Sequence, residues 1–222
     1  MIKLVAFDWN GTLLSDAQTV TDACNHFIKA LGGNPITLEI YRQKFTVPVI
    51  DFYESVGLDR QKVLKNSLKN SAIFHKYYEL KVSNLRSRTG ARKVLTWLNQ
   101  NQIQAVIISN HVVDRINEQL NRLYLLQYIS KTIANNQLDE ALKGKNKGDK
   151  LKAFIKSQNL KPQEVLVVGD SSEEIEIAKE IGSISIAITH GHYSTSRLKA
   201  AKPDYLINSL REIIKIVERI NN

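Results

Sequence analysis

The sequence predicts an α/β fold, a doubly wound parallel sheet carrying a helical insertion, and three observations lead there. Four short runs rich in Val and Ile, at residues 3–7, 105–108, 165–168 and 184–188, lack clean alternation. Strands covered by helices on both faces read this way, because neither side of the pleat meets water. Segments of helical spacing separate the later runs, giving strand–helix–strand units whose crossovers are right-handed. Finally, the runs end in polar residues, and in an open parallel sheet ligands bind beyond the carboxyl ends of the strands.

Taken in order, the first run stops at Asp8, followed by Trp9-Asn10-Gly11-Thr12-Leu13. Residues 14–89 contain no comparable Val/Ile run but hold amphipathic stretches, including 21–31 and 61–80, so the insertion is expected to be helical. Leaving the chain directly after the first strand, it is expected to lie over the polar rim as a lid. In Ala91-Arg92-Lys93-Val94-Leu95-Thr96-Trp97-Leu98, one helical face carries Val94, Leu95, Trp97 and Leu98. The second run ends in Ser109-Asn110-His111, the third in Gly169-Asp170-Ser171, and the fourth in Thr189-His190-Gly191. A short strand within 203–208 and a closing helix at 210–220 complete the pattern. The expected division is a core of residues 1–14 and 90–222 with a helical cap of residues 15–89.

Composition narrows the function. With 43% hydrophobic residues and only 10 Gly and 4 Pro, the 222-residue chain can build a packed core and is neither disordered nor fibrous. Its longest apolar runs are too short to span a bilayer, and its start lacks the apolar stretch and cleavage site of a signal peptide. A cytoplasmic protein is the expectation. The single Cys24 excludes an intramolecular disulfide and a multi-cysteine zinc site, and suits a small buried hydrophobe. The net charge of +9 admits nucleic acid as a partner, yet no recognition motif or basic–aromatic array accompanies the basic stretch 143–150. Steering of phosphorylated anions into a cleft is the milder inference.

Asp8 at the end of a buried strand is a rigidly held carboxylate, able to act as nucleophile or metal ligand, although Asp-x-Asn-Gly is also an ordinary turn. A second acidic cluster, Gly169-Asp170-Ser171-Ser172-Glu173-Glu174, follows another buried strand. Two carboxylate sites at strand ends make an oxygen-rich pocket suited to Mg²⁺.

With Asp8-Trp9-Asn10-Gly11-Thr12, then Ser109, then a lysine of the basic stretch, then Gly169 to Glu174, the sequence resembles the haloacid dehalogenase (HAD) superfamily. Within it, the resemblance is to phosphoglycolate phosphatase-like hydrolases with a Rossmann-like core and an α-helical cap. It implies that Asp8 attacks phosphorus and forms an aspartyl-phosphate, and that Asp8, the main-chain carbonyl of Asn10, Asp170 and Glu174, directly or through water, hold Mg²⁺. Ser109 would bond a phosphoryl oxygen, with Thr12 and Asn110 beside the substrate. The third-motif lysine would be Lys147, because Lys147-Gly148 opens the helical pattern 151–155; Lys145 is its rival. In the insertion, Tyr41-Arg42-Gln43-Lys44 resembles the segment near the leaving group, where Arg42 would read an anionic substrate.

At Asn10 the family pattern usually has an aspartate that protonates the leaving alkoxide and later activates water. An amide exchanges no proton, and general acid–base catalysis contributes on the order of 10²–10⁴-fold. Three readings follow: substrates with good leaving groups, another acid such as His111 or His190, or a phosphate-binding regulatory protein. The expectation is a Mg²⁺-dependent phosphatase of a small phosphorylated metabolite, with the binding protein as alternative. A dehalogenase, which does not use the metal cluster, and a phosphomutase fit less well.

Overall fold

The computed structural model describes residues 1–65, 67–136 and 147–222. Strand β1 (Leu4–Asp8) is followed by five helices, α1 (Ala17–Ala30), α2 (Leu38–Lys44), α3 (Val49–Ser55), α4 (Arg60–Leu64) and α5 (Ser67–Val82). The chain continues through α6 (Ala91–Gln100), β2 (Gln104–Val112), α7 (Val113–Arg122) and β3 (Lys131–Asn135). After α8 (Lys147–Ser157) come β4 (Val165–Gly169), α9 (Ser172–Ile181), β5 (Ile184–Ile188), α10 (Thr195–Ala200), β6 (Tyr205–Ile207) and α11 (Glu212–Asn221).

The strands form one parallel sheet in the order β3-β2-β1-β4-β5-β6. From β1 the chain adds β2 and β3 on one side, then returns to add β4, β5 and β6 on the other. The order therefore reverses at β1/β4, the place where doubly wound sheets open a crevice. Alternate residues of each strand serve two separate cores. Val5, Phe7, Ile107, Leu166 and Val168 pack with α1, α6 and α11. Leu4, Ala6, Val106, Ile108, Val165 and Val167 pack with Leu151 and Ile155 of α8 and Ile177 and Ala178 of α9. This two-sided burial is the physical reason for the unbroken Val/Ile runs.

Three details differ from the sequence expectation. Strand β2 runs on through Ser109, Asn110 and His111 to Val112, with a register irregularity against β3 after Ile108. Strand β3 carried no Val/Ile run: it lies at the sheet edge, its first two residues are not fully buried, and Lys131 and Thr132 mask the pattern. On α6 the inward residues are Ala91, Val94, Leu95 and Leu98, while Trp97 is only partly buried. Cys24 is buried with its thiol pushed up to about 12 by burial, which suits the role of a small core residue. Among the described residues no helix is long and apolar enough to cross a membrane.

Candidate active site

Because β1 and β4 are neighbours in register, their ends bring Asp8 and Asp170 to the same rim. Beyond Asp8 the chain folds back at once: the Trp9 carbonyl accepts from the N–H groups of Thr12, Leu13 and Leu14. Gly11 has φ +73°, the left-handed region that favours glycine, and a Cβ there would lie 2.2 Å from Asp170 Oδ2. Gly191, in the loop after β5, approaches the same oxygen from another side, where a Cβ would lie 2.1 Å away. Asp170 is thus enclosed by backbone. Its Oδ1 accepts from the fully buried Thr12 hydroxyl at 3.0 Å and its Oδ2 from the His192 N–H.

From the opposite side of the rim, α8 delivers Lys147, whose ammonium donates to Asp8 Oδ1 at 2.7 Å and closely contacts Glu174 Oε1. Glu174 sits in the first turn of α9, where Ser171 at the N-cap forms a capping box with it; its Oε2 accepts from Ser171 Oγ at 2.7 Å. Lys143 and Lys145 lie outside the described residues, and the placement of Lys147 beside Asp8 comes from the start of α8. Ser109 is buried, and its Oγ accepts the His111 N–H at 3.1 Å, leaving its own O–H to donate elsewhere.

Asp8 and Glu174 share the Lys147 ammonium, whereas Asp170 faces the charges of His192 and Arg88. Burial, reinforced by Glu174 and Asp170, holds the Asp8 carboxyl well above the usual range despite Lys147. Burial also raises Asp170, with Glu174 adding to it. For Glu174, the Lys147 charge and hydrogen bond outweigh burial and hold it below the usual range. The Lys147 ammonium is held up by Asp8 and Glu174 against a burial penalty. Among the described residues no three His, Cys, Asp or Glu side chains stand gathered as a metal cluster. The set implied by sequence uses side chains and one main-chain carbonyl, and its chemistry fits a hard dication: all donors are oxygens, three of them from the buried carboxylates of Asp8, Asp170 and Glu174.

Three of the expected substrate contacts are engaged within the protein: Thr12 with Asp170, and two others. Asn110 donates to Glu173 Oε2 at 2.9 Å. Arg42 on α2 donates from Nε to the Gly191 carbonyl and from Nη2 to the His190 carbonyl, each at 2.8 Å, tying α2 to the loop after β5. His111, named above as a candidate acid, is half-buried beside Tyr78, and its Nε2 is buried with no hydrogen-bond partner among the described residues.

Sequence reasoning missed Asp16 and the groups around it. Asp16 stands at the N-cap position of α1 but makes no cap bond. Its carboxylate instead accepts from the Gly11 N–H at 2.7 Å, from Asn10 Nδ2 at 2.7 Å and from the Tyr78 hydroxyl at 2.8 Å. His192 Nε2 lies 3.3 Å from Asp16 Oδ1, and Nδ1 meets the Tyr41 hydroxyl at 2.8 Å. Asp16 raises His192 to about 9 against burial, and His192 in turn lowers Asp16. The only signal for Asp16 was its spacing six residues after Asn10, which an N-cap explains equally well.

Residues 5–188 match the family model described as haloacid dehalogenase-like hydrolase. The chain is 24% identical to a phosphoglycolate phosphatase of Vibrio parahaemolyticus over 223 residues, covering 97% of this chain and 96% of that one. Among solved structures, a haloacid dehalogenase-like hydrolase from Streptococcus pneumoniae superposes with TM-score 0.80 at 18% identity, covering 97% and 98% of the two chains. A protein from Clostridium acetobutylicum described as a predicted phosphatase gives 0.79 at 22% identity, covering 98% and 99%. The structural likenesses speak to the fold.

Proposed function

The chain belongs to the haloacid dehalogenase-like hydrolase family, and from that premise we propose that it is a Mg²⁺-dependent phosphatase of a small phosphorylated metabolite, working through an aspartyl-phosphate on Asp8. The observation that carries this reading is the buried Asp8–Lys147–Glu174 cluster beside Asp170, at the point where the strand order reverses. Residues 1–14 and 90–222 form the catalytic core in this reading, and residues 15–89 form the cap. The setting is the cytoplasm, where small phosphorylated metabolites diffuse freely.

Asp8 is fixed by β1 and can present its free oxygen in line with a scissile P–O bond, so that positioning supplies much of the rate. Lys147 holds the other oxygen and offsets charge on the transferring group. Ser109 donates its hydroxyl to a phosphoryl oxygen. Asp8, the Asn10 main-chain carbonyl and Asp170 would hold Mg²⁺, with Glu174 acting directly or through water beside Lys147 and Ser171. When bound, the cation neutralises negative charge developing on the phosphoryl oxygens. The binding-protein alternative is not favoured, because a relative matched over nearly its whole length is named as a phosphatase.

The test is phosphate release from sugar phosphates, phosphoglycolate, nucleotides and an aryl phosphate, with and without Mg²⁺. Turnover should require the metal and fall by at least about 10³-fold in Asp8→Asn, since that change removes the nucleophile. Persistence of turnover in Asp8→Asn would sink the covalent mechanism.

A further inference from the structure

The Asn10 side chain is held in one orientation. Both hydrogens of its amide nitrogen are taken, one by Asp16 Oδ2 at 2.7 Å and one by the Tyr78 hydroxyl oxygen at 2.9 Å. Tyr78 in turn donates its own proton to Asp16 Oδ2 at 2.8 Å, and Asp16 Oδ1 accepts the Gly11 N–H. An amide flipped by 180° would press its carbonyl oxygen against an accepting carboxylate, so this triangle fixes which end is which. Among the described residues nothing donates to Asn10 Oδ1, and the residue is only partly buried. Two positions beyond Asp8, the side chain therefore offers a held acceptor and no donor.

Resting on the phosphatase reading above, we propose that Asn10 orients the attacking water through Oδ1 without taking its proton, restricting the enzyme to phosphoryl donors whose leaving group departs unprotonated: acyl phosphates, phosphoanhydrides and aryl phosphates. In the first step an Asp8 oxygen bonds to phosphorus while the bond to the leaving oxygen breaks, and that oxygen keeps the electron pair as a stable anion. In the second step water oxygen bonds to phosphorus, the bond to Asp8 breaks and the pair returns to the carboxylate. The water's proton passes to an oxygen of the departing phosphate. An acceptor that only orients water is sufficient here, as in phosphoryl transfers that use a glutamine for that purpose.

Three of the neighbouring donors are committed elsewhere. Thr12 donates to Asp170, Lys147 is held between Asp8 and Glu174, and the two ring nitrogens of His192 face Tyr41 and Asp16. A carboxylate at position 10 would face Asp16 at the same 2.7 Å, so the amide at 10 and the acid at 16 belong together. Asp16 and Tyr78 are accordingly positioning residues for Asn10.

The experiment measures kcat/KM on substituted phenyl phosphates of graded leaving-group pKa, together with acetyl phosphate, pyrophosphate and glycerol phosphate. A steep fall with leaving-group pKa is expected, leaving the alkyl ester on the order of 10²-fold or more below the aryl and acyl substrates. Acid-quenched Asn10→Ala should show a burst of leaving group and accumulated phosphoenzyme. Its kcat and KM should fall together, roughly tenfold, with kcat/KM little changed, because only the second step has lost its oriented water. Tyr78→Phe, which keeps the ring, should change kcat in the same direction by a smaller factor. A flat leaving-group dependence would overturn the proposal; if it turned steep in His111→Gln or His190→Gln, that histidine would be the acid. A burst-free Asn10→Ala with native kcat would overturn it as well. No turnover of any substrate by the native protein would overturn the phosphatase reading itself along with this one.

Discussion

At the scale of single residues, the pocket is defined by what each group can no longer do. Asn10 keeps an acceptor and loses its donors to Asp16 and Tyr78, whereas Ser109 keeps a donor and spends an acceptor on the His111 N–H. His111 shows how burial alone sets a pH response. Burial, with help from His75, pushes the imidazole from 6.5 down to about 4. The unfolded chain takes up this proton near pH 6.5 while the folded chain resists until about 4, so stability falls as pH drops through that window and is unaffected above it. The loss attributable to His111 is at most about 3–4 kcal/mol, from about 1.4 kcal/mol per pKa unit. Urea unfolding between pH 4 and 8 should show this acid limb, and His111→Gln should flatten it; equal slopes in both proteins would remove His111 as the cause.

At the scale of elements, helix starts and strand ends do the positioning. Strand β1 fixes Asp8 because its preceding residues are buried on both faces, and α9 fixes Glu174 because Ser171 caps it. Ser171→Ala should therefore act twice. Loss of an N-cap costs about 0.5–2 kcal/mol, which corresponds to a fall in Tm of roughly 2–4 °C per kcal/mol for a chain of this length. It also removes the hydroxyl that holds Glu174 Oε2. Calorimetry should show the lower Tm, and titration of activity with Mg²⁺ should show half-saturation shifted to higher metal. An unchanged metal titration would mean that Lys147 alone is enough to hold Glu174.

At the scale of the whole molecule, the helical insertion is tied to the core on two sides. Tyr78 of α5 accepts from Asn10 Nδ2, while Tyr41 and Arg42 of α2 reach His192 and the carbonyls of His190 and Gly191. Arg197 reinforces the second tie by donating to the Arg42 and Phe45 carbonyls. Arg42→Ala should accordingly loosen the insertion: hydrogen exchange in α2 should accelerate, and KM should rise alike for anionic and neutral substrates. A rise confined to anionic substrates would return Arg42 to substrate recognition. The sheet was legible in the sequence because double burial demands Val and Ile at every position, and β3 was not, because an edge strand escapes that demand. The polar ends of the runs marked Asp8, Ser109 and Asp170, since strand ends must change from apolar to polar where the sheet meets solvent. Sequence by itself thus determined the fold class and the rim on which the acidic residues stand. Tertiary structure alone decided that Asp16, Tyr78, Tyr41 and His192 converge behind Asn10 and that Arg42 serves the backbone. Hydrogen-bond partners far apart along the chain, such as Asn10 with Tyr78 or Tyr41 with His192, leave no periodic trace; only the folded geometry brings donor and acceptor together.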